Sequence, residues 1–535
     1  MAKMEKGFVI KAAALLMLIQ ILSRLLGYAR NMALSNLFGQ SYETDAFFAA
    51  FSIPDFIYNI LIGGAITAAF IPVFSSYLAK DRPEQAWRTG SVFSSWVLLL
   101  MAVLLMLSFM FTEPLMRVLT QFSPEQMALP VALARITMVQ ALFMALSALA
   151  TGVLQSHQHF TWPAIGVLLY NVFILVFGIL LIRPIEALWP GYGVASFSVG
   201  VVIGSFATLA VQIPTLVKKG FHYRFSLDTR NEGFRRMIRL ILPVMIGLSV
   251  SQINMLVTQY LATGLESGYF TAMKNAYSLM QLPVGVFAAS IAVAIFPTMT
   301  AQAAAGDYPE LKRSMSMGLR TSFYVTVPAA VGMIVLREPI VRLLFEFSED
   351  FTAADTVIVA QALLYYCIGL AAYGAILILL RGFYAIQNTL MPLLISFAAI
   401  ALNVVLSLAL VGPLGHRGLA LAYSLAGIGQ CLLLIYFLRR KIGPMGLKGL
   451  SRTGLQLLFA CSAMALAVWG AAELSAAVLS IAGKLGQLLQ VILSIIVGIA
   501  VYFFVTGWMH MEEFTLARNL LKRRLHRKRA AASRQ

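Results

Sequence analysis

The chain predicts an all-α polytopic membrane protein with about 14 transmembrane helices, and three observations carry that reading. Of its 535 residues, 60% are hydrophobic and 12% charged, against roughly 45–50% and about 25% in soluble domains. The apolar residues gather in runs of about 20, the length a helix rising 1.5 Å per residue needs to cross about 30 Å of hydrocarbon. Between the runs, Lys and Arg collect in particular loops.

In order, the runs begin near Phe8, Thr44, Val92, Leu129, Pro163, Tyr192, Met237, Gly268, Leu319, Thr356, Leu390, Leu419, Leu455 and Leu485. The first follows a short basic stretch with the charge of a secretory leader. No small-residue cleavage site follows, and the run continues to Ala29, so a retained helix is expected. With the N-terminus inside, the cytoplasmic segments hold Lys80, Arg82 and Arg88, the stretch 218–239, Lys312 and Arg313, and Arg439, Arg440 and Lys441. Opposite loops such as 264–268 and 412–415 are poorer in cations; Arg337 and Arg342 are exceptions. An even number of spans returns the C-terminus to the inside, where the basic run 522–529 would rest against anionic lipid. The formal charge of +18 is thus an orientation signal, and no nucleic-acid partner is expected. Cys367, Cys431 and Cys461 lie in apolar runs without close spacing, which argues against a disulfide framework or a metal site.

The chain also repeats itself. Pro72 closes a long apolar run before Asp81-Arg-Pro83-Glu84, and Pro297 closes another before Asp307-Tyr-Pro309-Glu310. The offsets are 225 residues at the first proline and 226 at the second. Transporters are commonly built from two such repeats. The expected organisation is an N-terminal six-helix lobe over 1–225 and a C-terminal six-helix lobe over 226–445. Two additional helices and a basic cytoplasmic tail follow over 446–535.

No HExxH, GxSxG or P-loop is present, so neither an enzyme nor a cofactor is expected. His157 and His159 flank Gln158 in a short loop without a third ligand nearby, and read as polar loop residues. Intramembrane charge is more informative, because it is costly and by default raises a functional hypothesis. Lys11 to Arg24 encloses only twelve residues, too few to span, so Arg24 lies inside the first helix. Arg30 follows about 9 Å further along and about 240° around. The competing explanation is snorkelling to the interface. Asp45 or Asp55 on the next helix could pair with either arginine, and Lys274 occupies the equivalent helix of the second half. Cations from both halves favour an anionic ligand, and the planar fork of arginine suits phosphate. Pro54, Gly63, Gly64 and Pro72 interrupt the second helix, as Pro283, Gly285 and Pro297 interrupt its counterpart. Broken helices commonly line transport cavities, and their freed backbone groups need partners. Asn171, Gln212, Ser251, Gln252 and Asn254 offer hydrogen bonds either to a ligand or between helices.

Several of these residues form a familiar pattern. Ser23-Arg-Leu-Leu-Gly-Tyr-Ala-Arg30, Phe38-Gly39, Thr44-Asp-Ala-Phe-Phe48, Ile53-Pro54, Gly64-Ala65 and Ala69-Phe-Ile-Pro72 resemble the opening of the MurJ/MviN family. The likeness continues through Val250-Ser-Gln252, Leu279-Met280, Pro283, Gly285-Val286 and Gly382-Phe-Tyr384. The family comprises lipid II flippases of peptidoglycan synthesis, within a superfamily of multidrug, oligosaccharide-lipid and polysaccharide exporters. The resemblance implies two six-helix lobes around a central cavity, with the last helix pair forming a groove for the lipid tail. It maps the first-helix arginines onto Arg24 and Arg30, and the following aspartate onto Asp45. The family's second-helix arginine falls at Tyr58 or Asn59 here, and its eighth-helix arginine at Ser278, one turn from Lys274. Carboxylates that some members use for sodium have no clear match.

The expected function is therefore alternating-access translocation of an undecaprenyl-diphosphate-linked peptidoglycan precursor across the bacterial cytoplasmic membrane. Arg24, Arg30, Lys274, Asp45, Asn171 and Gln252 form the substrate-binding set. Membrane lipids and cell-wall synthesis proteins are the other expected partners. The alternatives are export of another polyprenyl-diphosphate glycan or of drugs and cations, and a non-transporting scaffold for cell-wall enzymes.

Overall fold

The computed structural model describes residues 6–64, 66–444, 447–479, 483–515 and 518. The side chains of Lys11 and Ser251, and the basic run 522–529, lie outside the described residues. All regular structure among the described residues is helical. Twelve segments there are long and apolar enough to cross a bilayer. In chain order they are α2 (Tyr42–Leu78), α3 (Pro83–Met110), α4 (Ala128–Ser156), α5 (Thr161–Leu180), α6 (Ala195–Lys218), α8 (Tyr269–Ala304), α9 (Tyr308–Val335), α10 (Ala353–Ala385), α11 (Leu390–Leu414), α12 (His416–Ile442), α13 (Leu447–Leu479) and α14 (Lys484–Trp508). Two further helices stand where the sequence places the first and seventh spans. These are α1 (Lys6–Phe38, 33 residues) and α7 (Glu232–Thr263, 32 residues).

Several helices begin well before the apolar run that reveals them. The runs start near Val92 and Leu319, whereas α3 starts at Pro83 and α9 at Tyr308. Pro83 and Pro309 sit in the first turn, where a missing N–H costs nothing, and Asp307 accepts the Glu310 N–H as a cap. Bilayer hydropathy marks only the buried length, so it is blind to these polar first turns.

The internal repeat is written in the helix boundaries. The bounds of α9 follow those of α3 by 225 residues at both ends. The same offset separates the starts of α4 and α10 and the ends of α1 and α7. It also separates two π-helical turns, Asn59–Gly63 within α2 and Val284–Ala288 within α8. Such turns are rare, and occur mostly as single bulges inside α-helices, frequently at functional sites. Each has a local cause. Pro283 precedes the second, and Gly63 and Gly64 end the first. A second π turn in α2, Ile66–Phe70, runs into Pro72, which has no N–H to give the preceding turn.

By contact, the chain divides into two compact units, Met1–Thr271 and Ala272–Gln535. In the first, α5 and α6 pack face to face through Gly166, Gly200 and Gly204. A Cβ at Gly204 would reach 2.7 Å from the Tyr170 carbonyl oxygen. The cation-rich stretch after α6 runs along α3. Arg88 pairs with Asp228 at 3.2 Å, Thr89 bonds Asn231, and Ser91 and Ser95 receive the N–H groups of Arg224 and Ser226. In the second unit, α9, α10, α12 and part of α8 share a core that includes Met315, Leu379, Phe383 and Leu434. Tyr324, Met464, Val468 and Tyr502 join α9 to α13 and α14. Cys367, Cys431 and Cys461 are buried free thiols.

Candidate functional site

The first unit brings most of the expected site residues onto α1, α2 and α5. Asn171 on α5 is buried and donates from Nδ2 to Ser23 Oγ at 3.1 Å and to the Val167 carbonyl at 3.3 Å. One turn along α1, Gly27 faces it, and a Cβ there would lie 3.5 Å from Asn171 Oδ1. Asn171 therefore ties α1 to α5 and sets how the arginine-bearing helix is held.

With α1 fixed in this way, its two arginines differ. Arg24 is exposed and forms no ion pair among the described residues. Arg30 is half-buried, and its Nε and Nη2 both donate to Asn31 Oδ1 at 3.1 and 3.0 Å. Asp55 and Tyr170 both interact electrostatically with its charge, and Asp55 also acts on Tyr58. Arg30, Asp55, Tyr58 and Tyr170 thus form one charged and phenolic cluster just before the first π turn of α2. Arg30 is turned into the unit rather than outwards, as the angular separation from Arg24 predicts. Tyr58, one of the two positions (with Asn59) at which the family arginine is expected, brings a phenol to the cluster.

Asp45 does not join them. It is 2% exposed, and its Oδ2 accepts the Gly268 N–H at 2.7 Å. Oδ1 accepts the N–H and hydroxyl of Thr271 at 2.7 and 2.6 Å. These N–H groups belong to the start of α8, where backbone donors have no intrahelical partner and a carboxylate is favoured. Gly268 has φ +88, and a Cβ there would overlap the Gln40 carbonyl oxygen. Only glycine suits both demands. Asp45 therefore anchors the first turn of α8, and both of its oxygens are engaged by protein.

Beside the cluster, a cavity of ≈ 420 Å³ opens against the broken part of α2. Tyr58, Ile62 and Gly63 form one wall, and Ser147, Thr151 and Gln155 of α4 supply a polar stripe. Their spacing of four residues is visible in the sequence, and was the available signal for a wall that site reasoning missed. Tyr170 was missed as well. Gln212 lies behind this wall, donating to Ser147 Oγ at 2.7 Å and accepting from Thr151 at 2.9 Å. Being fully buried and saturated, it is a link between helices. Gln252 is half-buried on α7.

In the second unit, Lys274 is half-buried on α8, and its carbonyl accepts the Ser278 hydroxyl at 2.7 Å. The serine at the family's second arginine position is thus satisfied by its own helix. Next along, Tyr277 meets Tyr366 and Tyr423 with ring centroids 5.7 and 5.4 Å apart, and Tyr373 stacks on Tyr423 at 4.6 Å. A separate apolar groove of ≈ 510 Å³ runs between α9, α13 and α14, lined by Tyr324, Pro328, Gly332, Val468, Gly498 and Tyr502 among others.

Known proteins resemble this chain in sequence and fold. A solved structure described as "Lipid II flippase MurJ, inward closed conformation" matches with a TM-score of 0.77 at 26% identity, covering 95% of this chain and 100% of that one. An inward-facing multidrug transporter of the MATE family matches with a TM-score of 0.63 at 18% identity over 79% of this chain and 95% of that chain, a likeness of fold. Among curated relatives, the probable lipid II flippase MurJ of Bdellovibrio bacteriovorus is 26% identical across 96% of this chain and 98% of its own length. The lipid II flippase MurJ of Burkholderia cenocepacia is 27% identical across 79% and 82%. The family model "Lipid II flippase MurJ" matches residues 34–511, a stretch that takes in both broken helices and the last helix pair, and so the chain belongs to the MurJ family.

Proposed function

We propose that this chain is a lipid II flippase, moving the undecaprenyl-diphosphate-linked peptidoglycan precursor across the bacterial cytoplasmic membrane by alternating access. The observation that carries the reading is the match to the lipid II flippase family across residues 34–511, and the arginine-bearing α1 gives it a chemistry. A diphosphate needs cations that are not already neutralised. Arg24 is exposed and unpaired among the described residues, so it makes the first contact. Arg30 is held by Asn31 beside Asp55 and Tyr170, a pre-set geometry that limits the entropy lost when an anion binds. Asn171 positions α1, and Asp45 positions the start of α8. Lys274 and Gln252 complete the polar set, and the prenyl tail stays in the apolar groove or in the bilayer.

The lobes 1–225 and 226–445 are the moving bodies, with 446–535 attached to the second. Both termini are cytoplasmic, a reading supported by the Lys and Arg at 80–88, 218–239, 312–313 and 439–441. The chain acts as a transporter, and no chemical step on the substrate is required of it. Membrane potential can drive the cycle, since moving one charge across 100 mV is worth about 2.3 kcal/mol.

The test is complementation of a strain depleted of its own lipid II flippase. The wild-type chain restores growth, and Arg24→Ala and Arg30→Ala at equal expression do not. Growth with both variants at the wild-type rate would remove the assigned roles. Resistance to cationic dyes without complementation would favour drug export instead.

A further inference from the structure

The stretch that joins α6 to α7 carries a pattern that substrate binding does not use. From 221 to 228 it reads Phe-His-Tyr-Arg-Phe-Ser-Leu-Asp, apolar and polar by turns. It has no regular secondary structure and lies along α3 as a strap. Ser91 Oγ donates to the His222 carbonyl at 3.4 Å and accepts the Arg224 N–H at 3.2 Å. Ser95 Oγ accepts the Ser226 N–H at 3.2 Å and lies 3.0 Å from the Tyr223 hydroxyl. Both serines are buried. They stand one helical turn apart, about 6 Å along α3, and two extended residues cover about the same length. The strap is therefore held in extended form at 224 and 226. An extended chain points successive side chains to opposite sides, which puts Phe221, Tyr223, Phe225 and Leu227 together.

The same two serines set the depth of the strap. Ser91 and Ser95 lie about 12 and 18 Å along α3 from Pro83 at the helical rise. Ser95 is inside the apolar run that begins near Val92. From the next turn onwards α3 exposes Leu99, Leu100 and Val103, as a helix facing lipid does. Non-helical backbone at that level needs acceptors from protein, and the buried hydroxyls supply them. The apolar side of the strap is nevertheless left uncovered by the described residues. Phe225 is 67% exposed and Tyr223 40%, and Phe221 and Leu227 are exposed as well. Around this side stand Lys218, Arg224 and Arg230, all exposed and without an ion pair among the described residues. Asp228, the acid of the strap, is taken by Arg88 at 3.2 Å. Aromatic residues favour the headgroup level of a bilayer, and free cations favour anionic lipid. An apolar edge flanked by such cations fits an anionic membrane surface.

We infer that residues 221–227 anchor the link between the two repeats in the cytoplasmic leaflet, with Phe225 and Leu227 at the acyl boundary and Lys218, Arg224 and Arg230 on anionic headgroups. The choice of leaflet rests on the proposed topology, and the anchoring does not depend on which lipid is transported. The test reads fluorescence, so its outcome is separate from that of complementation. Phe225→Cys and, on the opposite side of the strap, His222→Cys are labelled with the environment-sensitive dye NBD in the full chain, whose native thiols are buried. Each is reconstituted in phosphatidylcholine vesicles with or without phosphatidylglycerol, together with a lipid spin-labelled near its headgroup. Quenching at 225 is expected to exceed that at 222 at least threefold, and phosphatidylglycerol is expected to raise it at least twofold. Adding Arg224→Gln/Arg230→Gln removes that rise and keeps the value in phosphatidylcholine alone. Equal quenching at the two positions would overturn the inference, and so would indifference to phosphatidylglycerol. A blue-shifted but unquenched probe at 225 would place it against protein and overturn it too. Should a labelled chain fail to reconstitute, hydrogen exchange of the wild-type chain in nanodiscs decides. Amides of 222–227 are expected to exchange at least threefold more slowly with phosphatidylglycerol than with phosphatidylcholine, and equal rates would contradict the anchor.

Discussion

The two broken helices, α2 and α8, share a backbone device and differ in the chemistry around it. Each carries a π turn at the same place in the repeat, Asn59–Gly63 and Val284–Ala288. Around the first stand Arg30, Asp55, Tyr58 and Tyr170, with a polar-walled cavity beside them. Around the second, Lys274 is followed by interlocked tyrosines at 277, 366, 373 and 423. The repeat thus supplied a scaffold twice, and charge was then concentrated on one copy. A helix break opens room and frees backbone groups, but the side chains decide whether that room recognises an anion or is packed with rings.

Replacing the fork at the charged break should have the largest effect. Arg30→Lys keeps the charge but loses the planar donor pair, and lipid II translocation should fall at least tenfold with little change in melting temperature. A matching loss of stability would instead make Arg30 a packing residue. The next effect concerns a contact that the second copy lacks. Asp45 has Phe270 as its counterpart at the 225-residue offset, so nothing replaces its carboxylate. Asp45→Asn should cost about 1.5–3 kcal/mol, the range for hydrogen bonds to a charged group, read as a lowered unfolding midpoint in detergent. An unchanged midpoint would show that the first turn of α8 needs no anchor. Gln212→Leu removes the bonds to Ser147, Thr151 and the Thr208 carbonyl behind the polar wall and should cost about 1 kcal/mol, in the range measured for interhelical bonds in membranes. Smallest is Tyr277→Phe, which keeps the ring packing and should shift stability by less than about 0.5 kcal/mol while leaving transport near wild type. A large transport defect there would break the division of roles between the copies.

Much of this was legible in the sequence because a bilayer imposes a simple length rule. The positions of the helices, the broken character of α2 and α8 and the offset of the repeat all follow from apolar runs and prolines. Opposite placement of Arg24 and Arg30 follows from six residues of helical rotation. The choice between Asp45 and Asp55 was not legible, since both sit on the helix after α1 and nothing local separates them. It is settled by Gly268 and Thr271, more than two hundred residues away in the chain, whose N–H groups need an acceptor. Tyr170 was hidden for the same reason: its relation to Arg30 exists only once α1 lies against α5. The serine and threonine stripe on α4 was visible, yet polar residues inside a span serve helix contacts as readily as cavities, and Ser147 and Thr151 do both, lining the cavity and bonding Gln212.

The central claim is that anion recognition is vested in the first copy. It is tested most directly by measuring lipid II translocation in proteoliposomes with Arg30→Ala and Lys274→Ala at matched reconstitution. The account predicts that Arg30→Ala falls below a tenth of the wild-type rate while Lys274→Ala keeps at least a third. Arg30→Ala at the wild-type rate, or Lys274→Ala as the more severe lesion, would contradict it.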